Sequence, residues 1–311
     1  MQRSNAVTVE ISLAKLRENV REIARQTGVD IYAVVKADGY GFGAARVAEA
    51  IKDLVHGYYC FNIEEAIAAD LWKRTGKPTL ALVAPGAQPN VEDYLAHHIR
   101  PGVTSIEQAT ALKKARPILS IDTGMQRFAV TEREIDAAIE AGAIDEAFTH
   151  GTRLEHALEL QRMTRHHKLK LHAAGTALLD EPRAWLDAVR PGLAIYRGIA
   201  RVTAPIVEAR DSTGPAGYTG FLVPRHGVIL AGYSNGVRVG PAMVNGRRTR
   251  LLEVGMQSAF VELSPQDKAG DVVTLLGDGI TESEIASVWG CGAHEVCVRM
   301  GEMGNRKYKE D

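Results

Sequence analysis

The segment IYAVVKADGYGFGA, residues 31–44, joins an apolar run to a glycine-rich turn and then to a helix-like stretch that begins near Ala44. A short apolar run bounded by turn residues is typical of a buried strand. The same order of strand, turn and helix recurs from about residue 12 to residue 200. The eight strand candidates are IYAVV (31–35), YYCF (58–61), TLALV (79–83), RPGV (100–103), PILSI (117–121), AFTH (147–150), LKLHAA (169–174) and AIY (194–196).

Helix-like segments separate neighbouring strand candidates, as in NIEEAIAADLWKR (62–74) and TEREIDAAIEAG (131–142). Eight strands that alternate with helices are the pattern of a (β/α)8 barrel, the TIM barrel of the α/β class. We therefore predict such a barrel over residues 12–203. A doubly wound open sheet is the alternative, because a strand count from sequence can be wrong by one or two.

The sequence pattern changes after about residue 200, where glycine becomes more frequent and the apolar runs become shorter. We predict a smaller, mainly β domain over residues 204–311. ESEIASVWG (282–290) is the one segment of this domain that reads as a helix. The alternating run AVTVEIS (6–12) is predicted as a strand that joins the same domain.

The composition indicates a soluble cytoplasmic protein. Of the 311 residues 45% are hydrophobic and 24% are charged, and the formal net charge of −1 argues against nucleic acid or an anionic membrane as the main partner. The three scattered cysteines favour a reducing compartment over a disulfide framework. No segment is apolar enough for a signal peptide or a membrane span. The adjacent histidine pairs at 97–98 and 166–167 lack supporting ligands, so we expect no metal site.

Lys36 directly follows the first strand candidate of the predicted barrel. Residues at the carboxyl ends of barrel strands face the active site. A partly desolvated lysine at this position has a lowered pKa and a nucleophilic amine, which can form a Schiff base with an aldehyde cofactor. A solvated lysine at a strand end is the other interpretation of the same pattern.

The stretch VVKADGYGFGA (34–44) resembles the signature of the alanine racemase family, in which a lysine begins an AxAYGHG-like loop. The resemblance implies that Lys36 covalently holds pyridoxal 5'-phosphate and is one of two catalytic bases. It also implies that Tyr40 hydrogen-bonds the phosphate group. Phe42 departs from the family pattern, which usually has histidine there.

Two motifs of the central barrel continue the resemblance in the same order. SIDTGMQRFAV (120–130) is similar to the family's KxDTGMxRxG segment, which implies that Arg127 binds the substrate carboxylate and the ring oxygen of the cofactor. AFTHG (147–151) is similar to the stretch that carries a histidine beside the cofactor ring. This implies that His150 lies at the ring.

The last motifs of the predicted barrel resemble the family's phosphate-binding and ring-binding segments. HAAGTA (172–177) is similar to HxANSA, which makes Thr176 a hydroxyl donor to the phosphate. VRPGLAIYRG (189–198) is similar to VRPGxxxYG, which implies that Arg190 contacts the pyridine nitrogen. An arginine at that place favours a racemase over a decarboxylase of similar fold. The resemblance further implies that the phosphate is bound by the backbone amides of Gly192 and Leu193.

The predicted β domain contains two further similar segments. AGYSNGVR (231–238) resembles IGYADGxxR, which implies that Tyr233 is the second catalytic base. GMQS (255–258) stands where the family has CMDQ, which implies that Met256 lines the site of the substrate carboxylate. In the family this tyrosine reaches the active site of a second subunit. The resemblance therefore implies a homodimer with composite active sites.

Several departures from the family pattern concern the substrate. Ser120 replaces a lysine that often carries a carbamate, and Gly255 and Gln257 replace a cysteine and an aspartate. His294 stands where a phosphate-contacting tyrosine is usual. Interconversion of L- and D-alanine is the leading interpretation, and a racemase with a different or broader amino-acid substrate (serine, lysine, arginine) is the alternative. A non-catalytic pyridoxal-phosphate carrier is a third hypothesis, which the predicted β domain and its tyrosine disfavour.

Overall fold

The computed structural model describes residues 3–84 and 89–310. Its strands are β1 (Ser4–Ser12), β2 (Asp30–Val34), β3 (Gly57–Cys60), β4 (Thr79–Ala81), β5 (Ile99–Val103), β6 (Ile118–Ser120), β7 (Glu146–Gly151), β8 (Lys170–Ala174), β9 (Ala188–Val189), β10 (Ala200–Asp211), β11 (Arg225–Ile229), β12 (Pro241–Val244), β13 (Arg247–Val254), β14 (Ala259–Glu262), β15 (Val272–Leu276) and β16 (Gly304–Lys309).

Ten α-helices of the described residues lie among the strands of the first two thirds of the chain, and two more lie near its end. They are α1 (Leu13–Thr27), α2 (Lys36–Tyr40), α3 (Ala44–Ile51), α4 (Ile63–Ala68), α5 (Leu71–Thr75), α6 (Val91–Ala96), α7 (Ile106–Ala111), α8 (Ile135–Gly142), α9 (Leu154–Thr164), α10 (Leu193–Tyr196), α11 (Glu282–Trp289) and α12 (Ala293–Glu302). Within the described residues, none of these helices combines the length and the apolar character needed to cross a membrane.

Strands β2 to β9 form a closed parallel barrel, in chain order, and β9 pairs with β2 to complete it. Apolar side chains from these strands fill the interior: Tyr32, Tyr59, Leu80, Ile118, Phe148 and Ala188. The predicted barrel is therefore confirmed, and the alternative of an open doubly wound sheet is wrong. The barrel belongs to a compact unit that contains residues 17–39 and 43–195.

One predicted barrel strand is wrong. The run AIY (194–196) lies in the short helix α10, and the eighth strand is β9, two residues long, just before Arg190. Three apolar residues define neither a two-residue nor a 3.6-residue period, so burial alone suggested a strand. Ile195 and Tyr196 are indeed fully buried, but on a helix.

The second compact unit contains the residues up to Leu16, Tyr40–Phe42 and those from Tyr196 onward. Its strands form a mainly antiparallel sheet in the order β11-β14-β13-β12-β15-β10-β1-β16. β1 lies between strands from the later part of the chain: it pairs antiparallel with β10 and parallel with β16. The side chains of Val7, Val9 and Ile11 on this strand are fully buried.

The prediction of a single helix after residue 200 is also wrong, because α12 follows α11. Val296, Cys297, Met300 and Gly301 of α12 are buried, and their spacing places them on one face of the helix. The β-branched Val296 and Val298 lower the intrinsic helix propensity of this segment, so its helix was not evident from the sequence.

Candidate active site

The backbone that follows Lys36 makes a left-handed turn. Ala37 (φ 52°, ψ 51°), Asp38 (φ 50°, ψ 48°) and Gly39 (φ 64°, ψ 47°) all have left-handed helical conformations. For a residue with a Cβ atom this conformation costs about 1–2 kcal/mol. The turn must therefore be held in place by its surroundings, and it fixes the backbone on which Lys36 lies.

Hydrogen bonds on both sides hold this turn. The amide of Gly39 donates to the carbonyl oxygen of Val35 at 2.8 Å. The Asp38 carboxylate accepts a hydrogen bond from the amide of Ala44 at 2.9 Å, at the start of α3. An anionic acceptor at a helix N-terminus is favourable, because the first amides of a helix have no partner within it. The turn is thus bonded to Val35, just after β2, and to the start of α3.

Basic side chains surround Lys36 at the carboxyl ends of the barrel strands. Arg127 lies in the loop after β6, His150 near the carboxyl end of β7 and Arg190 directly after β9. Burial lowers the pKa of Lys36, and the positive charges of Arg127 and Arg190 lower it further, against the opposing charge of Glu65. A larger fraction of Lys36 is therefore a neutral, nucleophilic amine near neutral pH than for a solvated lysine.

His150 stays neutral in this basic environment. Desolvation by the surrounding protein, followed by the positive charges of Arg190, Lys36 and Arg127, lowers the pKa of His150 to about 4. His150 is nevertheless an exposed residue at the barrel end, so it is accessible to a ligand. A cluster of cations with a neutral imidazole is suited to anionic ligands such as a phosphate or a carboxylate.

Arg190 is buried, with only 6% of its surface exposed. Its Nη2 atom donates hydrogen bonds to the carbonyl oxygens of Thr149 and Ala173, the latter at 3.1 Å. The guanidinium lies over the rings of Tyr59 and Phe148, at 5.2 and 5.1 Å from their centroids. Its Nε atom is buried and has no hydrogen-bond partner in residues 3–84 and 89–310. A buried donor without a partner is costly, so this atom fits an acceptor on a bound molecule.

A hydroxyl and two amides meet where the barrel chain enters α10. The amides of Gly192 and Ala194 donate hydrogen bonds to Thr176 Oγ1 at 3.3 and 3.1 Å. Leu193, whose amide was also predicted to bind phosphate, is the first residue of α10. Sequence reasoning missed Ala194, although an amide in the first turn of a helix is a general signal for anion binding. This group of donors fits a phosphate.

Arg127 lies on a loop that Asp122 organises. The Asp122 carboxylate accepts hydrogen bonds from the amides of Gly124 and Gln126, at 2.8 and 2.9 Å. Arg127 is exposed and lies beside a recess with about 340 Å³ of empty space open to solvent, which Ser120 and His150 also line. The structure therefore brings together Arg127, His150 and the serine that departs from the family pattern.

Tyr40 belongs to the second compact unit, where it stacks on Tyr196 with ring centroids 4.6 Å apart. Burial raises the pKa of Tyr40 to about 12, so its hydroxyl stays protonated and can donate to an anion. Phe42 is fully buried against the same Tyr196 ring, and its carbonyl oxygen accepts a hydrogen bond from Tyr308 at 2.9 Å. The position that the family fills with histidine is an apolar packing position in this chain.

Tyr233 and Met256 also lie in the second unit, on two loops that are bonded to each other. The Tyr233 amide donates to the carbonyl oxygen of Gly255 at 2.9 Å, and the Ser234 amide donates to that of Met256 at 3.0 Å. The side chains of Tyr233 and Met256 are 57% and 61% exposed. The two residues predicted to act on the substrate are therefore held side by side and are accessible.

Replacement of Gly232 by alanine tests this pairing of loops. A Cβ atom at residue 232 would collide with the backbone oxygens of Gly255 and Met256. We expect Gly232→Ala to lower the free energy of unfolding by about 1–3 kcal/mol, because backbone atoms must move to accommodate the methyl group. Urea denaturation measures the change. Gly255→Ala is the comparison, since its Cβ would meet only Ser258, at ordinary distances of 3.4 Å from O and 3.8 Å from Oγ. Equal stabilities of both variants would contradict the expectation.

Comparison with known proteins gives consistent results over nearly the whole chain. Residues 11–199 match the family model described as alanine racemase, N-terminal domain. The alanine racemase of Pasteurella multocida is 28% identical to this chain, and the alignment covers 94% of the chain and 96% of the relative. The alanine racemase of Nitrosomonas europaea is 30% identical, over 91% of the chain and 93% of the relative.

The fold is similar to that of solved alanine racemases. The biosynthetic enzyme from Pseudomonas aeruginosa has a TM-score of 0.87 at 23% identity. The match covers 98% of this chain and 100% of the Pseudomonas chain. The enzyme from Bartonella henselae, described with covalently bound pyridoxal phosphate, has a TM-score of 0.85 at 21% identity, with the same coverages. At these identities the likeness establishes the fold alone.

Proposed function

Because the chain belongs to the alanine racemase family, we propose that it is a pyridoxal-phosphate-dependent racemase that interconverts L- and D-alanine. Its relatives over nearly the full length make it an isomerase of the racemase class. The observation that carries the finer proposal is Lys36, a half-buried amine of lowered pKa among Arg127, Arg190 and the neutral His150. This is the environment that a covalent anchor for an aldehyde cofactor requires.

The residues of the barrel unit fit pyridoxal phosphate. Lys36 would hold it covalently, and the unpartnered Nε of Arg190 would meet the ring nitrogen. Thr176 and the amides near it would bind the phosphate. We assign the same binding function to Tyr40, His150, Gly192 and Leu193, as the resemblance implies. The bound cofactor would supply an electron sink that makes the α-proton of the substrate acidic.

Two bases on opposite faces of the substrate would move the α-proton. Lys36 Nζ takes or returns the proton on one face, and Tyr233 Oη does so on the other. Arg127 and Met256 hold the substrate carboxylate. Arg190 stays cationic, which disfavours a proton on the ring nitrogen and so directs the reaction to racemisation and away from transamination. Tyr233 and Met256 would act in the active site of a second copy, in a cytoplasmic homodimer.

The recess beside Ser120 keeps one alternative open. Arg127 lines a solvent-open recess together with Ser120, which stands where the family has a lysine, and this departure supports a racemase with a larger or broader substrate range, such as serine, lysine or arginine. Gly255 and Gln257 point the same way, since Gly255 lacks the side chain of the family's cysteine and Gln257 lacks the charge of the family's aspartate. A non-catalytic carrier of pyridoxal phosphate is disfavoured, because the chain has a folded β unit with an exposed Tyr233.

A panel of single amino acids tests the proposal. Purified protein with added pyridoxal phosphate is incubated with each L-amino acid in deuterated water, and NMR follows loss of the α-proton while chiral chromatography follows the D-isomer. We expect exchange and D-isomer with alanine as the fastest substrate. Faster racemisation of serine, lysine or arginine would support the alternative. If the protein shows cofactor absorbance but exchanges the α-proton of no amino acid, the racemase proposal is wrong and the carrier function is supported.

A further inference from the structure

We propose that Glu65 is the positioning residue of Lys36: its carboxylate clamps the left-handed turn that follows Lys36 to the neighbouring barrel strand and contributes a negative charge near the amine. The inference rests on the proposed role of Lys36 as cofactor anchor and catalytic base. Glu65 was not among the residues that the sequence singled out.

The clamp is formed by both oxygens of one carboxylate. Glu65 Oε1 accepts a hydrogen bond from the amide of Ala37 at 2.9 Å. Glu65 Oε2 accepts one from the amide of Phe61 at 2.7 Å. Ala37 directly follows Lys36 after β2, and Phe61 directly follows β3. A single side chain therefore joins the carboxyl ends of two adjacent strands at the position of Lys36.

Local sequence explains how Glu65 reaches both amides. Glu65 is the third residue of α4, and its own amide donates to the side chain of the N-cap residue Asn62 at 3.0 Å. A glutamate at this position usually turns back toward the amide of the capping residue. Here one oxygen reaches Phe61, one residue before the cap, and the other crosses to Ala37. The cap fixes the start of α4 and thereby the reach of the carboxylate.

The turn needs such a clamp because Ala37 and Asp38 hold left-handed conformations that residues with a Cβ atom disfavour. Strained backbone persists only where neighbouring groups over-determine it. A hydrogen bond to an ionised acceptor is stronger than one between neutral groups. The Ala37 amide is the first group after Lys36, so this bond holds the backbone of the anchor directly.

Glu65 also acts through its charge. Burial and the cations Arg127 and Arg190 lower the pKa of Lys36, and Glu65 is the group that opposes them. His150 also faces Lys36 but is neutral near pH 7, because its own pKa is lowered to about 4. Removal of the Glu65 charge should therefore lower the pKa of Lys36 further.

The test uses the cofactor-free protein and compares Glu65→Gln with Glu64→Gln. Glu64 is the adjacent, exposed residue of the same helix, and it has no part in the site. Acetic anhydride, with a free amine as internal standard, labels Lys36 across a range of pH, and mass spectrometry of its peptide gives the midpoint of reactivity. Hydrogen exchange of the peptide that contains Ala37 measures the clamp.

We expect Glu65→Gln to shift the midpoint of Lys36 labelling to lower pH and to speed exchange at Ala37, whereas Glu64→Gln matches the wild type. A glutamine has one oxygen for two amides and carries no charge. A midpoint or an exchange rate in Glu65→Gln equal to that of the control would overturn the proposal. If Glu65→Gln does not fold, Glu65→Asp replaces it: exchange at Ala37 should still quicken, and an unchanged rate would overturn the clamp.

Failure of this inference is distinguishable from failure of the proposed function. Labelling and exchange are measured without cofactor or substrate, so they report on Glu65 whether or not the protein racemises alanine. Separately, wild-type protein that gains no bound pyridoxal phosphate would refute the role of Lys36 as anchor.

Discussion

Replacement of Lys36 by alanine should abolish stable cofactor binding and lower racemisation by about 10⁴-fold or more, because the change removes both the covalent anchor and one base. Gel filtration after incubation with pyridoxal phosphate, followed by absorbance of the protein peak, measures retention. Racemisation is measured on alanine with excess cofactor. The lowered pKa of Lys36 and its basic neighbours make this lysine the expected point of attachment.

Two further variants serve as comparisons for Lys36→Ala. Lys36→Arg keeps a positive charge but has no nucleophilic amine, so it should fail in the same way. Lys73→Ala removes an exposed surface lysine of the same unit and should behave like the wild type. Cofactor that stays bound to Lys36→Ala through gel filtration would show that another residue is the anchor.

Tyr233→Phe should lower racemisation of alanine by about 10²–10⁴-fold while cofactor retention stays near that of the wild type. The substitution removes one oxygen from an exposed side chain, so the fold should be unaffected. Racemisation falls in both directions, because the equilibrium between enantiomers fixes the ratio of the two rates. Exchange of the α-proton should continue from only one enantiomer, the one whose proton faces Lys36.

Tyr218→Phe is the matched control for this second variant. Tyr218 belongs to the same unit and is 94% exposed, but it has no part in the proposed site. Solvent exchange is followed by NMR from L-alanine and from D-alanine separately. Full racemisation by Tyr233→Phe, or loss of exchange from both enantiomers alike, would remove Tyr233 from the role of second base.

The barrel was predictable from sequence because most of its strands are apolar runs bounded by turns. The eighth strand was not, since β9 consists of only Ala188 and Val189 before Arg190 and Pro191. Such a strand has no periodicity of its own. It exists because β8 and β2 on its two sides require a partner to close the barrel.

The site was predictable only in part. The lysine after a buried strand was visible in the sequence, and the glycines around it indicated a turn. Nothing in the sequence indicated that Ala37 and Asp38, and not only Gly39, would be left-handed. The hydrogen bond from the Ala37 amide to Glu65 Oε1 was equally unpredictable, because a bond between two strand ends depends on their spacing in the closed barrel. The roles assigned to Arg190 and Tyr233 came from resemblance.

The place of β1 in its sheet has a consequence for biosynthesis. β1 is made before both of its neighbours, because β10 and β16 come from much later in the chain. At about 5–20 residues per second, a ribosome needs roughly 15–60 s to produce β16 after β1. During that time the apolar side chains of Val7, Val9 and Ile11 have no sheet to join, so this strand of the nascent chain is available to chaperones and prone to aggregation. The finished sheet ends on β16, whose Arg306, Lys307 and Lys309 place charges along the outer edge and discourage further strands from adding.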